Sequence, residues 1–247
     1  MKGRSVRHAA GSLLAAIGLA LVTVPAVAGN DEWFGDEAPV YVPRDRVVLF
    51  EIETPGLEYT EQLTVNYIVK RELAALAYYN ILAGEELARI LDVHRVPTCS
   101  DEDCRRKVAL ATGAVEYIYG DASGSPKDAE IRLKRIRTSD GSVVSSKEMD
   151  WSGEAISIPW LSAYLAIQLY LPRESMVDGQ LQLDVQPKYA EIRADGSEVK
   201  IPSDLTIRLE AGIHQMEISQ PGYEPQMLPV VIIPRRVNFQ RVTLNPK

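Results

Sequence analysis

The chain has 247 residues, with 27 Lys and Arg against 34 Asp and Glu, which gives a formal net charge of -7. That length suits one large domain or two modest ones. Hydrophobic residues at 46% and charged residues at 25% are typical of globular domains, which excludes a wholly disordered chain and a multi-span membrane protein. The acidic balance argues against a protein that coats nucleic acid, and two cysteines are too few for a zinc ribbon or an iron–sulfur site.

The N-terminus has the pattern of a secretory signal peptide. A basic start at residues 2–7 precedes an apolar run from Leu13 to Val24, and Ala26-Val27-Ala28 supplies the small-x-small pattern that signal peptidase recognises. Because the apolar run is shorter than the ~20 residues needed to span a bilayer, we predict cleavage after Ala28 rather than an uncleaved membrane anchor. The mature protein would then be periplasmic or extracellular.

Cleavage changes the meaning of the charge and of the cysteines. The mature chain would keep 24 basic against 34 acidic residues, a net charge of -10. In an oxidising compartment Cys99 and Cys104 are expected to form a disulfide. The segment between them, Ser100 to Asp103, has the pattern of a helix N-cap with an acidic first turn, so the disulfide would staple a helix start. A redox or nucleophilic thiol next to Arg105 is the alternative.

Hydrophobic periodicity and turn residues predict the elements in chain order. Residues 29–45 are polar and contain prolines, which predicts a linker. An α/β domain follows over 46–172, with strands at 46–52, 80–82, 114–120, 129–138 and 142–151, and helices at 60–78, 83–91, 104–112 and 156–171. In the long helix, Leu63, Tyr67, Ala74 and Ala77 are expected to form the buried stripe.

Two glycine-containing segments of this domain are predicted as turns. Asp140-Gly141 is a strong hairpin signal between two strand patterns. Gly120 to Gly124 superficially resembles the Gly-x-Ser-x-Gly elbow of hydrolases, but its serine is displaced by one position. We therefore interpret that segment as a turn and not as a nucleophile.

The remainder of the chain alternates apolar and polar residues with a period of two. Residues 173–179 are predicted as a linker, and residues 180–247 as six or seven short antiparallel strands separated by turns at Asp195-Gly196, Ala211-Gly212 and Pro221-Gly222. The predicted fold class is α+β, with an N-terminal α/β sandwich domain followed by a small all-β sandwich domain.

An ordered series of residues in this second domain resembles the PEGA domain family over about residues 180–246. The series consists of Leu181, Leu183, Val185 and Pro187; Ala190, Ile192, Ala194, Asp195 and Gly196; Ile201 and Pro202; Leu205, Ile207 and Leu209; Gly212, Ile213, His214, Met216 and Ile218; and Pro221, Gly222 and Tyr223. The family's Pro-Glu-Gly-Ala signature is replaced here by Pro187-Lys188-Tyr189-Ala190. The resemblance implies a non-catalytic β module of bacterial envelope proteins that binds proteins or surface polymers.

The first domain resembles TolB amino-terminal-like and curli-secretion-factor-like α/β domains. The matching segments are Val47–Ile52, Tyr79–Leu87 and Gly113-Ala114 to Gly120, with the Asp140-Gly141 hairpin after them. The resemblance implies a module for assembly or protein contact.

The sequence contains no pattern that points to catalysis, a metal or a cofactor. It has no Gly-x-x-x-x-Gly-Lys-Ser/Thr run and no Gly-x-Gly-x-x-Gly after a strand. His214 is in phase with Met216 and Ile218, which predicts a place against the sandwich core, with a ligand role as the alternative. We predict neither an enzyme nor a cofactor-binding protein.

Basic and aromatic side chains supply the remaining candidate sites. Strand and helix positions bring together a possible patch for anionic lipid headgroups or polymers, made of Arg105, Arg106, Lys107, Arg132, Lys134, Arg135 and Arg137. A solvated strand face balanced by acidic residues is the alternative. Aromatic residues near the last helix, Trp151, Trp160, Tyr164 and Tyr170, are expected in the core rather than on a ligand platform.

These observations predict an exported, non-enzymatic envelope protein that binds or scaffolds envelope proteins, surface polysaccharide or peptidoglycan. Nucleic acid is not among the expected partners, and any contact with a membrane would be peripheral. Two alternatives stay open. One is an accessory assembly factor or activator of an outer-membrane or cell-wall machine, and the other is a hydrolase whose site is assembled only in space.

Overall fold

The structure, a computed structural model, describes residues 44–93, 99, 101–200 and 206–247. The predicted signal peptide, residues 29–43 of the predicted linker, His94 and residues 201–205 of the PEGA-like series lie outside the described residues. None of the described helices is both long and apolar enough to cross a membrane.

A five-stranded mixed sheet forms the first part of the molecule. Its strands are β1 (Arg46–Leu49), β2 (Asn80–Leu82), β3 (Glu116–Ser125), β4 (Asp128–Arg137) and β5 (Val143–Ser152). The order is β2-β1-β3-β4-β5, with β1 parallel to both of its neighbours and β3, β4 and β5 antiparallel. The apolar run of β1 is buried, as expected of a parallel strand in a sheet with helices on both faces.

Helices cover both faces of this sheet. Helices α1 (Tyr59–Ala75) and α4 (Ile158–Gln168) pack on one face, and α2 (Glu85–Val93) and α3 (Glu102–Ala111) pack on the other. Helix α3 begins where the acidic pattern predicted a cap, because the side chain of Asp101 accepts a hydrogen bond from the backbone N–H of Cys104 at 2.8 Å. The predicted α+β fold class, with an N-terminal α/β part, is confirmed.

The buried stripe of α1 differs from the predicted one. The stripe consists of Val65, Ile68, Val69, Glu72 and Leu73. The predicted Leu63 and Tyr67 are 53% and 63% exposed. Both stripes have helical spacing, and a glutamate in the true one interrupted its apolar pattern.

The segment from Gly120 to Gly124 is part of β3 and not a turn. Strand β3 runs on to Ser125 beside β4, and the chain reverses at residues 126–127. Gly120 is required there by close approach, since a Cβ at this position would lie 2.0 Å from the carbonyl oxygen of Arg132. The prediction of a turn was wrong because glycines at a tight strand contact have the same composition as turn glycines.

A β-sandwich forms the rest of the molecule. Its strands are β6 (Gly179–Gln186), β7 (Glu191–Ala194), β8 (Ser197–Glu198), β9 (Thr206–Leu209), β10 (Gly212–Ser219), β11 (Gln226–Ile232) and β12 (Val237–Thr243). One sheet has the order β11-β10-β7-β8 and the other β12-β6-β9, and apolar residues of both fill the space between them. The pairing of β12 with β6 is parallel, and the other pairs are antiparallel.

The α/β part and the sandwich share one hydrophobic core and belong to one compact unit. Val231 and Ile233, on the outer side of β11 and just after it, pack into the cluster that contains α1 and α4. Residues 173–179, predicted as a linker, include a short 3-10 helix at Arg173–Ser175 and the buried first residue of β6. That residue is Gly179, where a Cβ would lie 2.3 Å from the carbonyl oxygen of Ile233.

A buried carboxylate adds a polar link across the same junction. Glu72 of α1 is 2% exposed, and its two carboxylate oxygens contact Arg71 at 2.6 Å and Arg236 at 2.9 Å. Arg236 precedes β12, so this ion pair joins α1 to the sandwich. Removal of either arginine would leave a buried charge with fewer partners, which is strongly unfavourable.

The contrast between two helix leucines tests this packing. We expect Leu161→Ala, in the fully buried part of α4, to lower the free energy of unfolding by about 3 kcal/mol, because it opens a cavity in the shared core. The matched change Leu63→Ala should lower it by no more than about 0.5 kcal/mol, since that side chain is exposed. Urea denaturation of both variants measures the difference, and equal losses would contradict the assigned stripe.

Candidate functional site

The two cysteines lie where α3 begins. Cys99 and Cys104 form a disulfide with Sγ atoms 2.18 Å apart, which ties the segment before α3 to its first turn. Cys99 is partly buried against the cluster formed by α2, α3 and the sheet. The pairing therefore staples a helix entry to its core, in the position that the sequence predicted.

The structure brings together three of the seven predicted basic residues. Arg105, Arg132 and Lys134 line a shallow cavity of about 350 Å³ on the α3 side of the sheet, together with Tyr119 and two carboxylates. The Arg105 guanidinium lies 2.8 Å from Glu53 and 4.5 Å from the centre of the Tyr119 ring. Arg132 contacts Asp121 at 3.3 Å and Glu130 at 3.0 Å, so much of the positive charge is compensated locally.

The other four basic residues lie elsewhere. Arg135 points to the opposite face of the sheet, where it donates to the carbonyl of Leu169 at 2.8 Å. Arg106 donates to the carbonyls of Thr138 and Ser139 at the β4–β5 hairpin, where Arg137 contacts Asp140. Lys107 pairs with Asp103 on the surface of α3.

Strand geometry explains why these residues form no single patch. Side chains alternate between the two faces of a strand, so Arg132 and Lys134 lie on one face of β4 and Arg135 on the other. On the same face as Arg132, the carboxylates of Glu130, Glu148 and Asp150 lie within 4.8 Å of one another. The face as a whole is of mixed charge, which favours the solvated-face interpretation.

A partly buried acid lies beside Arg135. Glu116 contacts Arg135 at 3.2 Å, and the guanidinium also lies 4.3 Å from the centre of the Tyr170 ring. Burial raises the pKa of Glu116, although Arg135 and Arg137 oppose the rise. Burial likewise raises the pKa of the Tyr170 hydroxyl. This cluster holds the end of α4 against the sheet.

His214 has a structural role in the sandwich. Its Nδ1 lies 2.6 Å from Asp195 and its Nε2 lies 2.8 Å from the carbonyl of Glu210. Asp195 also accepts the backbone N–H of Gln215 at 2.8 Å. Burial raises the pKa of Asp195, but the hydrogen bonds from Gln215 and His214 outweigh it, so the pKa lies below its usual value. The pair fixes the β7–β8 turn, in which Asp195 and Gly196 have positive φ.

The four predicted aromatics do not form one platform. Tyr164 is buried in the shared core, Tyr170 packs against Tyr79, and Trp151 donates its indole N–H to the carbonyl of Glu154. Trp160 differs from these three. It is partly exposed and lies 5.2 Å from the Arg71 guanidinium, at the edge of a cleft.

That cleft lies between the two parts of the molecule. It has a volume of about 720 Å³ and lies between the start of α4 and the edge strands β11 and β12. Apolar side chains of the sandwich core reach it from both sheets, namely Leu181, Leu228, Val230 and Val242. Its volume is within the range of ligand sites, ~300–1,000 Å³.

Arginines and exposed apolar groups surround this cleft. Arg71, Arg236 and Arg241 line it, whereas the described lining residues include no Asp, Glu or His. Phe239 and Val237 of β12 are each 58% exposed beside it. Sequence reasoning missed this site because its walls come from distant segments. The sequence did contain one signal for it. The apolar residues Val237 and Phe239 occupy odd-numbered positions of β12, on the side that faced no predicted core.

A second exposed apolar surface lies on α1 and meets the cleft at Trp160. Tyr59, Leu63 and Tyr67 recur every fourth residue and are 71%, 53% and 63% exposed. The Arg71 guanidinium lies 5.9 Å from the Tyr67 ring and also contacts Trp160. We call these three residues the α1 stripe.

No protein-family model and no curated protein matches this chain. Among solved structures it is similar to the LpoB C-terminal domain from Salmonella enterica, at 16% identity and a TM-score of 0.37, over 46% of this chain and 87% of that chain. It is also similar to lipoprotein GNA1162 from Neisseria meningitidis, at 8% identity and a TM-score of 0.34, over 43% and 81%. For TolB from Acinetobacter baumannii the values are 8% and 0.38, over 75% and 38%.

These similarities are too weak to support an argument about function. The resemblance of residues 180–246 to PEGA domains stays a prediction, since no family model matches.

The Asp195–His214 pair generates a pH prediction. Asp195→Asn keeps a side chain that tolerates positive φ but removes the charge, so we expect a loss of about 1 kcal/mol of stability at pH 7 from weakened hydrogen bonds. Because the folded pKa of Asp195 is lowered, its contribution is present above the unfolded pKa and is lost as the pH falls through the folded value. Urea denaturation of both proteins between pH 7 and pH 3 should show the gap closing, and a constant gap would contradict this role.

Proposed function

We propose that this chain is an exported, non-enzymatic cell-envelope protein that binds other envelope proteins or a surface polymer, either polysaccharide or peptidoglycan. The observation that carries the proposal is the continuous surface of exposed aromatic and arginine side chains formed by the cleft and the α1 stripe. Tyr, Trp, Phe and Arg are the residues that concentrate binding energy at protein interfaces. Contiguous exposed apolar groups rimmed by polar residues mark interaction sites on proteins.

The predicted signal peptide and the disulfide support an exported location. Disulfides persist in the periplasm and outside the cell and are rare in the bacterial cytosol. Cys99–Cys104 lies at a helix entry, in a surrounding that suits a structural role rather than a catalytic one.

The polar side chains singled out in the sequence serve the fold. His214, Arg105 and Arg135 are held by Asp195, Glu53 and Glu116. Nucleophilic hydrolysis needs a nucleophile within hydrogen-bond reach of a base. Ser157 is the hydroxyl residue of the cleft, and its described lining supplies no histidine or carboxylate as that base. The cleft therefore favours binding over hydrolysis.

A second candidate function is that of an accessory assembly factor or activator of an outer-membrane or cell-wall machine. The α1 stripe favours it, because an amphipathic helix with an unpartnered apolar row is a common way to contact another protein. Both functions predict binding, but they assign it to different surfaces.

Point substitutions separate the two functions. Deletion of residues 180–247 is unsuitable, because it would expose the side of α4 that packs on Val231 and Ile233. We expect Tyr67→Ser to abolish capture of an envelope protein if the stripe is the site, and Phe239→Pro to abolish it if the cleft is the site. Pull-down from solubilised envelope measures both, together with sedimentation of the chain with peptidoglycan and with surface polysaccharide. Leu110→Ser, at an exposed leucine of α3 on the opposite face of the sheet, is the matched control. No enrichment of any partner would contradict the proposal.

Thiol counting tests the location. We expect the chain isolated from its native compartment to show no free thiol under denaturing conditions and two after reduction, because Cys99 and Cys104 are paired. Cys99→Ser and Cys104→Ser should lower stability equally, by about 2 kcal/mol. Two free thiols before reduction would contradict an oxidising compartment.

A further inference from the structure

The cleft contains a strand edge whose backbone groups face outward. The N–H of Gln180 donates to the carbonyl of Arg236 at 2.8 Å, and the N–H of Leu244 donates to the carbonyl of Gln186 at 2.8 Å. The parallel register between these points means that the even-numbered residues of β12 bond to β6. The N–H and carbonyl groups of its odd-numbered residues, Phe239 and Arg241 among them, therefore point away from β6 along the sheet edge.

The facing edge of β11 is blocked. On β12, the outward carbonyl of Arg241 accepts only a long hydrogen bond, at 3.5 Å, from the neighbouring Gln240 side chain. Pro229 of β11 has no N–H, and it lies opposite Gln215 in the ladder with β10. The carbonyl of Val231, which faces the same way as Pro229, accepts a hydrogen bond from the side chain of Asn238 at 2.5 Å. Proteins usually guard edge strands with such devices, and an edge left open beside a cleft is suited to accept another strand.

The two ends of the open edge are defined. Asn238 bridges β12 to β11 at the start of the strand. Beyond the end of β12, the backbone N–H of Glu224 donates to the carbonyl of Asn245 at 2.8 Å, and the backbone N–H of Lys247 donates to the carbonyl of Gly222 at 3.0 Å. These bonds close the sandwich at that end. The open part thus runs over Phe239–Thr243, about 17 Å at ~3.4 Å per residue, and accommodates about five residues of an extended chain.

Charge at the cleft favours an acidic occupant. Arg71 and Arg236 are about two-fifths exposed and share one buried carboxylate, that of Glu72, so one positive charge is left over at this end of the cleft. Arg241 contacts Asp184 at 2.7 Å. A local excess of positive charge in a protein of net charge -7 would attract a carboxylate more than any neutral group.

We propose that β12 is a docking edge for an extended peptide segment of a partner protein, which adds as a strand along Phe239–Thr243. The side chains of the docked peptide that point into the cleft are apolar and lie on Leu228 and Val242. A carboxylate of the same peptide contacts Arg71 and Arg236. A single strand suits the site better than a second copy of this chain, because the edge lies in a cleft that is also lined by Trp160 and by residues of β11. The inference rests on the proposed binding function and names the class of partner.

Selection of peptides on the full chain tests the proposal. The probe is a phage-displayed library of random heptapeptides, and the enriched sequences are resynthesised with a fluorescein label for anisotropy titration. We expect enriched peptides that alternate apolar residues and contain Asp or Glu. An amide in place of that carboxylate should weaken binding about tenfold. Failure to enrich any sequence, or enrichment of basic peptides, overturns the proposal.

Two variants of one residue isolate the backbone contribution. Phe239→Pro and Phe239→Ala both remove the ring, but only the proline also removes an outward N–H, and neither alters the even-numbered ladder with β6. We expect at least tenfold weaker binding for Phe239→Pro and no more than about threefold for Phe239→Ala. Peptides N-methylated at alternate residues provide the same test on the unaltered chain, should Phe239→Pro not fold. Equal effects of the two variants, together with undiminished binding of the N-methylated peptides, overturn the proposal.

Other occupants give different results. A synthetic peptide with the sequence of residues 29–43 that binds this edge more tightly than the selected peptides would make the edge an intramolecular site and overturn the proposal. A dimer by sedimentation that Phe239→Pro dissociates would assign the edge to a second copy and also overturn it. If Phe239→Pro no longer binds the peptides but still captures envelope partners, the proposed binding function is kept. The proposal that the partner adds as a strand along β12 is then overturned. If peptides bind the edge but no envelope partner is captured, only the proposed function fails.

Discussion

Helix α4 has no polar side, and the rest of the structure depends on covering it. Residues around its whole circumference are buried, among them Leu161, Tyr164, Leu165 and Ile167. A helix that is hydrophobic all round needs partners in every direction. The five-stranded sheet and α1 supply some of them, and Ile213, Val231 and Ile233 of the sandwich supply the others. The two parts of the molecule are therefore joined through the cluster around α4, and the sandwich has a second core between its own sheets.

This constraint also creates the cleft. Because α4 holds the outer side of β11, the edge of that strand is turned toward the start of α4, and β12 faces it from the other sheet. The sandwich closes below through residues 222–224 and 245–247. The two sheets of the sandwich have four edge strands, of which β11 and β12 line the cleft. The edge of β11 is blocked by Pro229, and that of β12 faces the cleft.

Periodicity predicted most elements of the fold, since each strand and helix depends on local alternation and turn residues. The strands around Asp140-Gly141, the short β2 and the strands of the sandwich are present where the pattern placed them. Periodicity cannot show which face of an element is buried against the rest of the molecule. Two stripes of α1 had helical spacing, and the buried one contains Glu72, whose carboxylate is paired with Arg71 and with Arg236, 164 residues away. The positions of the basic residues depend on which face of a strand each occupies, and the position of the cleft depends on long-range packing, so local periodicity could not predict either.

Glu72 joins α1 to the sandwich and also orients two arginine side chains at the cleft. A buried carboxylate is unfavourable unless charged partners surround it, and a hydrophobic residue of similar size would often hold such a junction equally well. The carboxylate instead fixes the direction of two guanidinium groups, and Arg71 is held further between the rings of Tyr67 and Trp160. Ordering of long side chains before a ligand arrives reduces the entropy lost on binding. The same buried charge that joins α1 to the sandwich therefore prepares the positive end of the cleft, which links the stability of the shared core to recognition at its surface.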